Sequence, residues 1–145
     1  MPDSAKLIFP PFSPRIKDID GEKHIWDSLR QKWLVLTPEE WVRQHVIAWL
    51  VSHRGIPALR ISQEYPVKVN SLNQRADIVV MNEFAKPHIL VECKAPDVKI
   101  DDEVAMQAVR YNAVVKANYI MLTNGKQAYC YEHFNGQYRP TKEIL

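Results

Sequence analysis

At 145 residues with 46% hydrophobic and 25% charged content, the sequence has the size and composition of one domain that can bury its own core. A net charge of +2 permits contact with nucleic acid without demanding it, and two cysteines, Cys93 and Cys130, are too few for a disulfide framework. The longest apolar runs, Ile78 to Met81 and His88 to Val91, fall far short of the roughly 20 residues of a membrane span, and Met1 to Pro11 lacks a signal-peptide pattern, so a cytoplasmic protein is expected.

The chain has no repeat period or polar linker, and a single domain is expected over residues 1–145, with an N-terminal extended region at 1–36 and a core at 37–131. Asp20-Gly21 is a turn signal between Arg15-Ile16-Lys17 and Lys23-His24-Ile25-Trp26, which predicts a hairpin. Thr37-Pro38-Glu39-Glu40 supplies an N-cap, a proline at the first helical position and a capping-box glutamate for a helix to about Arg54, stopped by Gly55 and Pro57. Val42, Val46, Trp49 and Leu50 recur on it at helical spacing, and the same spacing turns Glu39, not Glu40, toward that apolar face.

Ser62 to Val69, Ala76 to Met81 and His88 to Lys94 read as three strands of an antiparallel meander. Pro96 ends the third, and Asp101-Asp102-Glu103 opens a second helix to about Ala117. Tyr119 to Thr123 is a further strand, and Asn124-Gly125 signals a hairpin into Gln127 to Tyr131. The order ββ-α-βββ-α-ββ places the chain in the α/β (α+β) class.

Charges interrupt this pattern where a core strand should be apolar. In Val91-Glu92-Cys93-Lys94, Glu92 and Lys94 share one face and Cys93 takes the other. With neighbouring strands, Asp77 at the start of one meets Glu92 at the end of the next. Two converging carboxylates suit a hard divalent ion such as Mg²⁺, which prefers oxygen ligands, and a lysine beside them completes a hydrolytic site. Like charges repel there, so neutralising Asp77 is expected to leave the metal-free fold no weaker. On the second helix Val104, Gln107, Ala108, Tyr111 and Val115 share a face, and an amide turned toward the sheet needs a polar partner.

Other features read as structural. Asp97-Val98-Lys99 follows Pro96 with no strand before it and is a solvated loop. The five histidines show no metal-ligand spacing, the four tryptophans, Trp26, Trp33, Trp41 and Trp49, fit core packing better than base stacking, and a solvated face suits Arg43, Arg75 and Arg110 at least as well as phosphate contact.

Asp77, Glu92-x-Lys94 and Gln107-x-x-x-Tyr111 together resemble the PD-(D/E)XK nuclease superfamily. More narrowly, Thr37-Pro38-Glu39-Glu40-Trp41-Val42-Arg43-Gln44, Arg75-Ala76-Asp77, Val91 to Pro96 and Leu122-Thr123-Asn124-Gly125 resemble the N-terminal nuclease domain of type I restriction enzyme R subunits. The resemblance implies a restriction-endonuclease-like mixed β-sheet flanked by helices, acting on DNA with Mg²⁺, or Mn²⁺ in its place. It makes Asp77, Glu92 and the main-chain carbonyl of Cys93 metal ligands and Lys94 the catalytic lysine. Glu39 would be an accessory acid, and Gln107 and Tyr111 the motif after the core. Ala76 stands where the superfamily name has proline. The chain has no Gly-x-x-x-x-Gly-Lys-Ser/Thr phosphate loop, so ATP-driven translocation is not expected of it, and other restriction-modification or motor subunits are the implied partners. The competing reading is a non-catalytic nucleic-acid-binding or partner-dependent interaction module on the same fold.

Overall fold

Helix α1 (Pro38–Ser52) starts where the sequence places it: Thr37 accepts the Glu40 main-chain N–H at 3.0 Å and Pro38 follows the cap. The second helix, α2 (Asp102–Val115), is capped by Asp101, which accepts from Val104 N at 3.1 Å, and ends on Lys116 in the left-handed region at φ 62°. In this computed structural model, which describes residues 6–142, the strands are β1 (Ile16–Ile19), β2 (Glu22–Asp27), β3 (Lys32–Val35), β4 (Ile61–Val69), β5 (Leu72–Met81), β6 (Pro87–Cys93), β7 (Tyr119–Thr123), β8 (Ala128–Phe134) and β9 (Gln137–Pro140). Met1 to Ala5, the start of the segment read for a signal peptide, lie outside the described residues.

The expected order is present, with one further strand at each end. The N-terminal hairpin forms through Asp20 and Gly21 and is extended by β3 into a three-stranded antiparallel sheet. Asn124-Gly125 opens a longer turn than a two-residue hairpin, since β8 begins at Ala128. The tight hairpin instead uses Asn135-Gly136, both at positive φ, and leads into β9.

The larger sheet runs β4-β5-β6-β7-β8-β9 and is mixed: β6 and β7 are parallel, and the other neighbours are antiparallel. Helix α2 is the crossover that a parallel pair requires. Each helix covers one face. Val42, Val46, Ile47 and Leu50 of α1 pack with Ile78, Val80, Val91 and Met121, while Ala108, Tyr111 and Val115 of α2 pack with Val79, Leu90, Ile120 and Leu122. A smaller cluster joins Ile25 and Leu36 to Trp41, fixing the three-stranded sheet to the start of α1.

Gly125 has φ 86°, and a Cβ there would stand 2.7 Å from Leu7 and 3.2 Å from Val42. Ile8 N donates to its carbonyl at 2.7 Å, and Asn124 Nδ2 donates to Val98 O at 2.8 Å. The Leu122 to Gly125 block is thus the knot that ties the N-terminal segment and the loop after β6 to the sheet. Among the described residues no helix is long and apolar enough to cross a membrane.

Candidate functional site

Between β5 and β6 the main-chain ladder starts at the pair Met81 and Pro87, shifts register between Met81 and Val80, and ends at the pair Ile78 and Val91. Beyond that pair two carboxylates take over its work. The main-chain N–H of Asp77 donates to Glu92 Oε1 at 3.0 Å, and the main-chain N–H of Cys93 donates to Asp77 Oδ2 at 2.8 Å. The two acids therefore meet at the end of the strand pair, each holding the other's chain segment. Burial, and then the neighbouring Asp77, push the Glu92 carboxyl up to about 8.

Helix α1 contributes from one side. Arg43 Nη2 donates to Asp77 Oδ1 at 2.8 Å and to Glu39 Oε1 at 3.2 Å, and Arg43 Nη1 donates to Glu40 Oε1. One guanidinium, only 12% exposed, thus serves three carboxylates. Burial works against its charge, but Asp77 and Glu40 outweigh it and hold its pKa above the ordinary arginine value. Burial, then Asp77, raise Glu39, against the opposing pull of Arg43 and Lys94.

Two expectations are corrected here. Glu40 is the buried glutamate, bonded to Arg43 and to Gln44 Nε2 at 3.0 Å, whereas the Glu39 side chain is 42% exposed. The first turn of α1 is wedged between the two sheets, with Trp41, Val42 and Gln44 all buried, so a single apolar stripe does not define its inner face. Arg43 is no solvated-face residue. Its spacing of three and four from Glu40 and Glu39 is the signal that could have found it.

Helix α2 flanks the site from the opposite face. Gln107 Nε2 donates to Tyr111 Oη at 2.8 Å, and Tyr111 Oη donates to Gln74 Oε1 in β5 at 3.4 Å. The amide thus finds its partner in Tyr111 rather than in a carboxylate. Burial, then the nearby Glu92, raise the Tyr111 hydroxyl pKa, while the bond from Gln107 opposes them. Lys94 extends the pairing of β6 with β7 through its N–H to Thr123 O at 2.8 Å, and its ammonium acts electrostatically on both Glu92 and Glu39. The Cys93 thiol is fully buried and its pKa is held well above the ordinary value by burial first.

A second charged network, which sequence reading missed, adjoins the first. Asp27, fully buried, accepts from Leu29 N, Arg30 N, Arg30 Nε and Gln63 Nε2, and Arg30 Nη1 reaches Glu64 Oε2 at 2.5 Å. Glu64 sits in β4 at φ 51°, between residues paired with Ile78 and Ala76, and so opposite Asp77. The network ties the three-stranded sheet to the strand beside the site.

The arrangement sets two paired carboxylates at the end of the β5–β6 ladder, with Lys94 two residues beyond Glu92 and just past the end of β6. A comparison with curated proteins finds no match. Among solved structures, the type IIG restriction endonuclease BpuSI is similar at 20% identity with a TM-score of 0.48, over 66% of this chain and 11% of that one, so the chain spans about a tenth of that protein's length. The family model for the type I restriction enzyme R protein N terminus matches residues 38–144, from the first turn of α1 through the whole of the larger sheet, and the chain belongs to that family as a nuclease-like domain.

Proposed function

We propose that this domain is a Mg²⁺-dependent nuclease that hydrolyses DNA phosphodiester bonds in the cytoplasm, alongside restriction-modification or motor subunits carried on other chains. The observation behind the reading is the junction of Asp77 and Glu92 at the end of the β5–β6 ladder, with Lys94 two residues on.

The donor set fits a hard divalent ion. Burial, and then the neighbouring Asp77, make Glu92 resist ionising, and the single charge of Arg43 is divided among three carboxylates. Among the described residues no group of three or more His, Cys, Asp or Glu side chains is arranged to hold a metal ion, so side chains supply two ligands at most. Asp77, Glu92 and the Cys93 carbonyl would hold the ion, whose remaining positions suit the waters Mg²⁺ retains. When bound, the ion supplies positive charge against the phosphodiester and its transition state. Lys94, which makes no ion pair among the described residues, orients the attacking water and offsets charge developing on the phosphoryl oxygens. Arg43 and Glu39 position Asp77 from α1, and Tyr111, held by Gln107, closes the site from α2.

Lys94→Ala tests the proposal. With magnesium and without ATP, cleavage of DNA should fall by about 10² to 10⁴-fold while the fold and DNA binding persist. Unchanged cleavage refutes the role of Lys94, and an absolute need for ATP contradicts the reading.

A further inference from the structure

Trp26 and Trp33, expected from the sequence to be core residues, face each other across β2 and β3 on the side of the small sheet opposite Ile25. The inner side carries the packing: Ile25 is fully buried with Leu36 and Trp41, and Ile16 and Leu34 join them. The two indoles belong to no core cluster and stay partly exposed, with ring centroids 5.2 Å apart at 61°.

Basic side chains lie over them. The Arg15 guanidinium carbon is 5.0 Å from the Trp26 ring and 5.5 Å from the Trp33 ring, and Lys17 Nζ is 4.4 Å from the Trp33 ring. Both basic residues are exposed, and among the described residues neither side chain makes an ion pair or hydrogen bond. A guanidinium stacked on an indole uses its flat face and leaves its N–H edge for an anion. Strand alternation puts His24 on this outer side beside Lys17, and puts Asp18 and Lys23, paired with each other at 3.5 Å, on the inner side. Glu22, at the hairpin end, is the one acid that alternation places outward among the described residues of β1 to β3. Beside this row a groove of about 290 Å³ opens toward the second half of α1, lined by Phe12, Arg15, Trp26, Ala48 and Val51 among others.

A cross-strand tryptophan pair stabilises a hairpin, which accounts for one ring against the other. It does not account for two exposed cations above them that make no ion pair among the described residues. Partly exposed aromatic rings interleaved with exposed cations suit unpaired bases and their phosphates, whereas a duplex keeps its bases stacked on one another, away from such rings. We propose that the outer face of β1–β3 binds single-stranded DNA, with Trp26 and Trp33 stacking on bases and Arg15 and Lys17 meeting phosphates. That the strand is DNA rests on the nuclease reading above; the stacking chemistry does not. Arg30, bonded to Asp27 at the end of β2 and to Glu64 in β4, fixes this face relative to the strands that carry Asp77.

The test uses the full chain in EDTA, with fluorescence anisotropy of a labelled oligothymidylate and of a duplex of the same length. Oligothymidylate should bind more tightly than duplex and quench tryptophan emission. The double variant Arg15→Gln/Lys17→Gln, which removes both charges and leaves the inner-side core of Ile25, Leu36 and Trp41 untouched, should weaken binding about tenfold or more and flatten its salt dependence. Trp33→Leu should weaken it about five- to a hundredfold; if that variant is unstable in a thermal scan, the charge variant decides alone. Parent-like binding by the variants overturns the proposal, and is what a face built for a protein partner would give. Duplex binding as tight as single-strand binding, unaffected by Trp33→Leu, overturns it too. Parent protein that binds oligothymidylate yet cleaves no DNA in magnesium refutes the nuclease reading alone; cleavage combined with unaltered binding by the variants refutes the stacking face alone.

Discussion

Arg43 Nη2 donates to Asp77 Oδ1 at 2.8 Å across 34 positions of sequence, joining the first turns of α1 to the acidic pair where the β5–β6 ladder ends. With both side chains nearly buried, 12% and 14% exposed, the bond reverses the expectation that a neutralised Asp77 would leave the metal-free fold no weaker. Asp77→Asn relieves repulsion with Glu92 but leaves Arg43 short of a charged partner. Urea unfolding in EDTA should show a loss of about 1–3 kcal/mol; equal or greater stability would mean that repulsion dominates the pair.

Arg43→Met goes further, because Asp77, Glu40 and Glu39 lose their shared counter-charge together. Removing one partner of a buried pair costs about 3–5 kcal/mol, and the same unfolding assay should place this variant below Asp77→Asn. A stability equal to the parent's would make the guanidinium a bystander.

A cation that binds only the folded chain stabilises it, by about 2.7 kcal/mol at a hundredfold excess over its dissociation constant. Magnesium or manganese should therefore raise the melting temperature of the parent, and Asp77→Asn should remove the response. A response of equal size in that variant would move the ion away from Asp77.

The pH dependence follows from Glu92, whose carboxyl stands at about 8 in the folded protein against an ordinary 4.5, through burial and then Asp77. The folded chain keeps a proton that the unfolded chain releases. Its contribution therefore favours folding fully below about pH 4.5 and is lost as pH rises through about 8. Glu39, raised by burial and then Asp77, acts in the same direction. Denaturation at several pH values in EDTA should show this decline, and Glu92→Gln should flatten it. A parent profile as flat as the variant's would mean that Glu92 ionises normally in the fold.

Gln107 and Tyr111 share one hydrogen bond of 2.8 Å, so their effects should not add. Gln107→Leu and Tyr111→Phe should each lower cleavage more than stability, and the double variant should lose no more than the worse single one. Fully additive losses in kcat/KM would mean two independent roles.

Both helices were legible in the sequence because their caps act locally: Thr37 and Asp101 each satisfy a main-chain N–H three residues on. The convergence of Asp77 and Glu92 was legible from strand period and loop length. What could not be read was decided by tertiary contact. Glu40 is buried because the small sheet packs over the outer side of α1 through Trp41. Trp26 and Trp33 lie outside because Ile25 took the inner side of the same strand. The β9 hairpin was missed even though Asn135-Gly136 carries the same turn signal as Asn124-Gly125, whose Asn124 side chain is spent on Val98 and on the turn amides of Lys126 and Gln127.

The larger sheet is laid down in chain order, each strand beside the one before it. Most of its assembly therefore needs only short loops, which favours rapid folding. The exception is the parallel step from β6 to β7, which cannot close until α2 has crossed the face. Glu92 lies at the near end of that closure, and Gln107 and Tyr111 lie within it. The pairing that spans the longest connection in the sheet is thus also the one that brings the flanking residues of the site together, so a chain in which it failed to form would carry the acidic pair without Gln107 and Tyr111 beside it.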